Sequence, residues 1–155
     1  MRALILSALA VLAIDQGSKA WVLGPLDLAN RLWVEVLPPY LNFHMAWNRG
    51  VNFGLFGGAD ARWFLVGLAV AVCLMVLWWV IRDRAGRWEM ISAGLLIGGA
   101  LGNVIDRVRF GAVVDFLNMS CCGIENPYAF NIADIGVFAG AIGMVLLSGK
   151  GGKQR

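Results

Sequence analysis

Apolar and polar positions alternate along this chain on the scale of whole segments. Apolar runs cover residues 3–14 and 20–23, 63–81, 90–105 and 132–147, and the stretches between them carry the prolines, most asparagines and most charges. The run at 63–81 contains no charged residue and predicts one helix crossing a bilayer. The runs at 90–105 and 132–147 each give about 24 Å of helix, short of the roughly 30 Å hydrocarbon core, so flanking residues must complete those crossings. The first run could pass for a cleavable signal peptide, but three further spans follow, which favours an uncleaved first helix. The pattern predicts one integral membrane domain over 1–155, with spans near 3–23, 63–81, 89–107 and 131–148.

The interval 24–61 is too polar and turn-rich to span. WVEVL alternates in part, and YLNFHMAW leads through Asn48-Arg49-Gly50 into VNFGLF, which predicts a hairpin lying on the membrane surface. Its aromatic residues Trp33, Phe43, Trp47, Phe53 and Phe56 suit the headgroup zone. His44, with no nucleophile nearby in sequence, reads as an interfacial side chain. The interval 108–130 reads as a linker, and the basic tail from Lys150 to Arg155 as disordered. The expected fold class is therefore an all-α membrane protein of four transmembrane helices with a small extracytoplasmic β-cradle or hairpin.

Composition agrees: 59% of residues are hydrophobic and 15% charged, with a mean hydropathy of +0.71, too apolar for a soluble domain of this size. The net charge of +3 is scattered over short inter-helix segments, which argues for topology signals and against nucleic-acid binding. Arg2, Arg82, Arg84, Arg87, Lys150, Lys153 and Arg155 make seven of the thirteen basic residues and lie in very short segments on one side. That density predicts cytoplasmic termini, with the hairpin and most acidic residues facing outward. One histidine and three cysteines without CxxC spacing predict no metal site and no cofactor. Cys73 reads as a small buried hydrophobe, and the geometry and odd count argue against a functional disulfide between Cys121 and Cys122.

Within this frame the ionisable residues near apolar segments carry the chemistry. Asp15 and Lys19, four apart, share a helix face and can neutralise one another, as a structural ion pair or in support of a site. Asp115 follows the third span and Asp134 lies in the first turn of the fourth, so both face one side of the membrane. Gly94, Gly98 and Gly102, with Gly136 and Gly140, recur every four residues and predict close packing of the third span against the fourth, which joins the two aspartates. Two neighbouring carboxylates do not easily both ionise and would share a proton: one serves as base towards water while the other polarises a carbonyl. The helix macrodipole favours Asp134 as the anion. For Arg107, a bond to backbone carbonyls or to the neighbourhood of Asp115 is expected, because Asp106 and Arg107 are adjacent and cannot face each other on a helix.

The motifs Asp15-Gln-Gly-Ser18-Lys19, Asn48-Arg-Gly50-Val-Asn-Phe53, Gly99-Ala-Leu-Gly102-Asn103-Val-Ile-Asp106-Arg107, Val113-Val-Asp115-Phe116 and Phe130-Asn131-Ile-Ala133-Asp134 occur in an order that resembles bacterial lipoprotein signal peptidase, signal peptidase II. The resemblance covers nearly the whole chain. It implies an aspartic endopeptidase of the bacterial cytoplasmic (inner) membrane that removes signal peptides from lipidated prolipoproteins, cutting before a diacylglyceryl-modified cysteine. By it, Asp115 and Asp134 are the catalytic dyad, and Asp15, Lys19, Asn48, Gly50, Gly99, Asn103, Arg107, Asn131 and Ala133 bind substrate or support the site. Its expected partners are prolipoprotein signal peptides and membrane lipids, with a monomeric enzyme and no nucleic acid. Asn52 departs from the pattern, where a small residue such as alanine is expected.

Among other classes, a serine peptidase needs a base beside its serine, and Ser18 and Lys19 are consecutive and point apart on a helix. A transporter or channel could line a proton path with Asp15, Lys19 and Asp134. An assembly protein explains the glycine stripes but not the cluster of Asn, Asp and Arg.

Overall fold

Helix α1 (Arg2–Leu23) leads into a short helical turn α2 (Leu28–Arg31), strands β1 (Trp33–Leu37) and β2 (Leu41–Asn48), helices α3 (Ala61–Arg82) and α4 (Arg87–Phe110), strand β3 (Val113–Asn118) and helix α5 (Ile132–Ser148). The computed structural model describes residues 1–50, 61–123 and 126–148. Helices α1, α3 and α4 are long and apolar enough to cross a membrane, and α5 is a shorter apolar helix. Their apolar residues point outward as well as inward: Leu6, Leu74, Met75 and Phe138 are exposed, as side chains bathed in lipid tails would be.

Helix α4 is the central element, packing against α1, α3 and α5. Its N-terminus is closed by Glu89, whose carboxylate accepts the Gly86 N–H at 2.6 Å. The third and fourth spans, α4 and α5, pack closely as the sequence pattern predicts, but not all of the predicted glycines face that seam. Gly94 and Gly98 lie against α1, where a Cβ would run into the backbone at Leu4 and Ala8. It is Gly99 that approaches α5, against the Ala133 carbonyl, while Gly140 on α5 lies against the α4 backbone at Ser92 and Leu96. A four-residue repeat drifts around a helix of 3.6 residues per turn, so one stripe serves two neighbours. Below this seam Leu4, Val76, Val80, Ala85, Ala93 and Leu96 form one apolar cluster, and Val22, Leu28, Met45, Val114 and Phe116 form a second under the sheet.

The sheet is antiparallel in the order β1-β2-β3. The chain reverses between β1 and β2 at Pro38-Pro39-Tyr40, with Trp33 opposite His44. The predicted hairpin turn at Asn48-Arg49-Gly50 is thus not the turn that joins these strands, and the expected second arm, with Asn52, Phe53 and Phe56, lies outside the described residues, as does the basic tail. The other neighbour of β2 is β3, with Ala46 opposite Asp115 and Asn42 opposite Asn118. The interval read as a linker therefore contains a strand. VVDFLN has the β-branched and aromatic content of one, but its partner is some seventy residues earlier, where local sequence gives no sign of it. Phe43 is half-buried: its ring meets Trp21 on one side and, on the other, Phe116 of the cluster under the sheet. Trp33 and Trp47 are exposed. Against the expectation for adjacent cysteines, Cys121 and Cys122 are bonded to each other, in a turn where Cys122 has φ of 61°.

Candidate active site

Gly111 ends α4 in the left-handed region (φ 77°), which a residue without Cβ adopts readily. The chain then enters β3, and Asp115 arrives at the junction of sheet and bundle, 2% exposed. After β3 the chain loops back: the Asn118 amide donates to the carbonyls of Asn126 and Tyr128, and Phe130 bonds Leu117 through both N–H and C=O. That bridge sets Asn131 beside Asp115 and starts α5 with Asp134 in its first turn.

Asn131 joins the two aspartates. Its Nδ2 donates to Asp115 Oδ1 at 2.6 Å, its backbone N–H donates to Asp134 Oδ2 at 3.2 Å, and its Oδ1 accepts the Asp134 N–H at 2.9 Å. The second oxygen of Asp115 accepts from Asn48 Nδ2 at 3.0 Å, and the second oxygen of Asp134 accepts from Asn103 Nδ2 at 2.8 Å. Gly50, at φ 85°, donates its N–H to Asn48 Oδ1 at 2.9 Å, which leaves the Asn48 amide hydrogens turned to Asp115. Each carboxylate thus has an amide donor on both sides, and none of the three asparagines adds a charge.

Burial pushes the Asp115 carboxyl up to about 6; Asp134 nearby adds to the rise, while hydrogen bonds from Asn48 and Asn131 and the charge of Lys19 oppose it. Asp115 thus keeps its proton to a higher pH than an ordinary carboxyl does.

The remaining predicted site residues lie around this pair. Arg107 donates to the Asn103 carbonyl at 3.4 Å, and Gly99 gives the close approach at Ala133 described above. Ala133 is fully buried and donates its N–H to Asp15 Oδ1 at 2.9 Å. Lys19 meets Asp15 at 2.9 Å, as its four-residue spacing predicts, but it also meets Asp106 at 2.7 Å. Asp106 and Gln16 are the members sequence reasoning missed. Asp106 is an acid inside an apolar helix, the same signal that singled out Asp115, and weighing it only against adjacent Arg107 hid its partner on α1. His44 faces Trp33, with ring centroids 5.3 Å apart, and Ser18 bonds the Asp15 carbonyl of its own helix at 2.8 Å. Among the described residues, no group of three or more His, Cys, Asp or Glu side chains is placed to hold a metal ion.

A membrane-embedded helical protein with a small surface sheet and a pair of amide-bracketed carboxylates at their junction is the class this architecture defines. Comparison with known proteins narrows it. The family model for signal peptidase (SPase) II matches residues 7–149, and the chain belongs to that family, a family of proteases. It is 40% identical over 145 residues to the lipoprotein signal peptidase of Methylorubrum extorquens (strain PA1), covering 92% of this chain and 82% of that one. It is 39% identical over 156 residues to that of Xanthomonas oryzae pv. oryzae (strain PXO99A), covering 97% and 92%. A bacterial membrane enzyme solved by the in meso method at 1.9 Å resolution superposes with a TM-score of 0.83 at 28% identity, covering 97% of this chain and 94% of the other. A second such structure, at 2.3 Å, gives 0.80 at 28% identity, covering 100% and 94%.

Proposed function

We propose that this chain is an aspartic endopeptidase of the bacterial cytoplasmic membrane that removes signal peptides from diacylglyceryl-modified prolipoproteins, cutting immediately before the lipidated cysteine. The observation that carries the reading is the bridging of Asp115 and Asp134 by one residue, Asn131. Family membership supplies the substrate class.

In this reading Asp134, at a helix N-terminus and held by two N–H donors, is the carboxylate base. It takes a proton from water as the oxygen attacks the scissile carbonyl, while protonated Asp115 gives its proton to the carbonyl oxygen. The tetrahedral diol then collapses: Asp134 passes its proton to the leaving nitrogen, and the diol returns one to Asp115. The products are a free carboxyl on the signal peptide and a free amine on the lipidated cysteine, and the dyad ends with the single proton it began with. The helices leave the signal peptide's apolar helix and the diacylglyceryl chains in lipid, and the scissile bond at the interface. Both termini face the cytoplasm and the dyad faces outward, as the density of basic residues favours, and the enzyme works as a monomer. Asp15, Lys19, Asn48, Gly50, Gly99, Asn103, Arg107, Asn131 and Ala133 hold the dyad and its groove.

Purified protein incubated with a diacylglyceryl-modified precursor and with the same precursor unmodified tests this by product mass. The expected result is two fragments from the modified precursor, the second beginning at the lipidated cysteine. Cleavage elsewhere, or equal cleavage of the unmodified precursor, contradicts the assignment.

A further inference from the structure

Two carboxylates, Asp15 and Asp106, converge on one ammonium, Lys19, and all three are buried within the bundle. One carboxylate is enough to balance Lys19. A second acid in so apolar a place is costly and invites a reason beyond charge balance. Each acid has one: besides Lys19, each accepts a backbone N–H from another element. Asp15 takes that of Ala133 at 2.9 Å, the residue immediately before Asp134. Asp106 takes that of Val114 at 3.1 Å, the residue immediately before Asp115. Gln16 ties the two acids, its Nε2 lying 3.1 Å from Asp15 Oδ2 and 3.0 Å from Asp106 Oδ1. Gly102 makes the room, since a Cβ there would come within 2.6 Å of Asp15 Oδ2.

Building on the dyad reading, we infer that Asp15, Gln16, Lys19 and Asp106 form a buried clamp that fixes the spacing of Asp115 and Asp134 by holding the peptide unit in front of each. Asp106 and Gln16 are thereby positioning residues for the reaction, touching neither substrate nor dyad. The two aspartates come from a strand and a helix joined near the site by Asn131 and the Phe130 bridge, and the clamp adds a second tie, from the far side, between Val114 and Ala133. The clamp does so through α1 and α4 in a few strong, charge-assisted bonds. Lys19 adds a second path, 3.4 Å from Asn103 Oδ1, whose amide reaches Asp134.

Loosening the clamp lets the carboxylates separate. Asp115 is faced by Asp134 from α5, by Lys19 from α1 and by Arg107 from α4. Separation weakens the push from Asp134 and admits water, and both changes make Asp115 lose its proton at lower pH. Misplacement of a reacting group by about 1 Å can cost about a hundredfold in rate.

The test compares kcat, KM and the pH profile of kcat on the lipidated precursor for wild type, Asp106→Leu, Asp106→Asn and Gln16→Ala. Asp106→Leu is expected to lower kcat about 10- to 100-fold with KM within about twofold, and to move the alkaline limb of the profile to lower pH. Asp106→Asn keeps an acceptor for the Val114 N–H and leaves Lys19 paired with Asp15, so it restores most of kcat and the limb. Val76→Ala in the α3 core lowers Tm without moving the limb. If Asp106→Leu does not fold, Gln16→Ala, which leaves all three charged groups in place, carries the test with a smaller loss and the same limb shift. A folded Asp106→Leu, or failing it Gln16→Ala, with wild-type kcat and limb overturns the clamp. So does an Asp106→Asn as impaired as Asp106→Leu. Inactive Asp115→Asn and Asp134→Asn beside an unaffected Asp106→Leu would remove the clamp and leave the dyad standing, whereas an active dyad variant would remove the dyad itself.

Discussion

Asp115→Asn and Asp134→Asn each lower kcat on a lipidated precursor by about 10²- to 10⁴-fold, the range for losing a positioned acid or base. The two losses have different causes. Asn at 134 keeps the side-chain shape but takes no proton from water. Asn at 115 can still donate a hydrogen bond to the scissile carbonyl, but it has no proton to pass on. In the proposed mechanism both residues act in one proton circuit, so the double variant is expected to be little worse than either single one. Folding is checked independently by thermal stability. The folded-state pKa of Asp115 is raised to about 6 from 3.8, so the native state binds that proton more tightly than the unfolded chain. Its contribution is fully present below about pH 4 and is lost as pH rises through about 6. Asp115→Asn escapes that loss and should melt higher than wild type at about pH 8, with little difference at about pH 4. A folded variant with wild-type turnover would remove its residue from the chemistry.

The second large effect is expected at a residue that packs two helices together and carries no functional group. Gly98→Leu inserts four carbons where α4 already meets the Ala8 backbone of α1. Helix backbones at that separation cannot yield locally, so α1 must shift, at a cost of roughly 1–3 kcal/mol or more. That shift carries Asp15 and Lys19 with it, so Tm in detergent and kcat should fall together, kcat by at least about tenfold. The corresponding substitution at Gly67 on α3, where a Cβ meets nothing within 4 Å, should change neither. Unchanged Tm and turnover in Gly98→Leu would mean that the two helices do not approach closely.

Much of the helical frame was legible because membrane helices announce themselves by length and apolarity, and the run at 63–81 needed nothing else. The ion pair of Asp15 with Lys19 was legible for a similar reason, its spacing being local. What stayed hidden is non-local. The identity of β3 rests on a partner strand whose register with it skips across α3 and α4. The assignment of Gly98 to α1 and Gly99 to α5 depends on helix azimuths that a repeat of four does not specify. Asp106 was visible as an unusual residue, but its partners Lys19 and the Val114 N–H belong to elements before and after it. Asn131 is the intermediate case: the motif resemblance implied a supporting role, while its bond to Asp115 needed the Phe130 bridge to β3.

The central claim of the proposed mechanism is that Asp115 is the proton-carrying member of the pair, holding its proton up to about pH 6. Infrared difference spectroscopy of the free protein titrated from about pH 4 to about pH 8 reads the protonated carboxyl directly. A carboxylic-acid band that titrates near pH 6 in wild type and is absent in Asp115→Asn is the predicted result. A band that survives in Asp115→Asn, or a wild-type pair fully ionised by about pH 5, would contradict it.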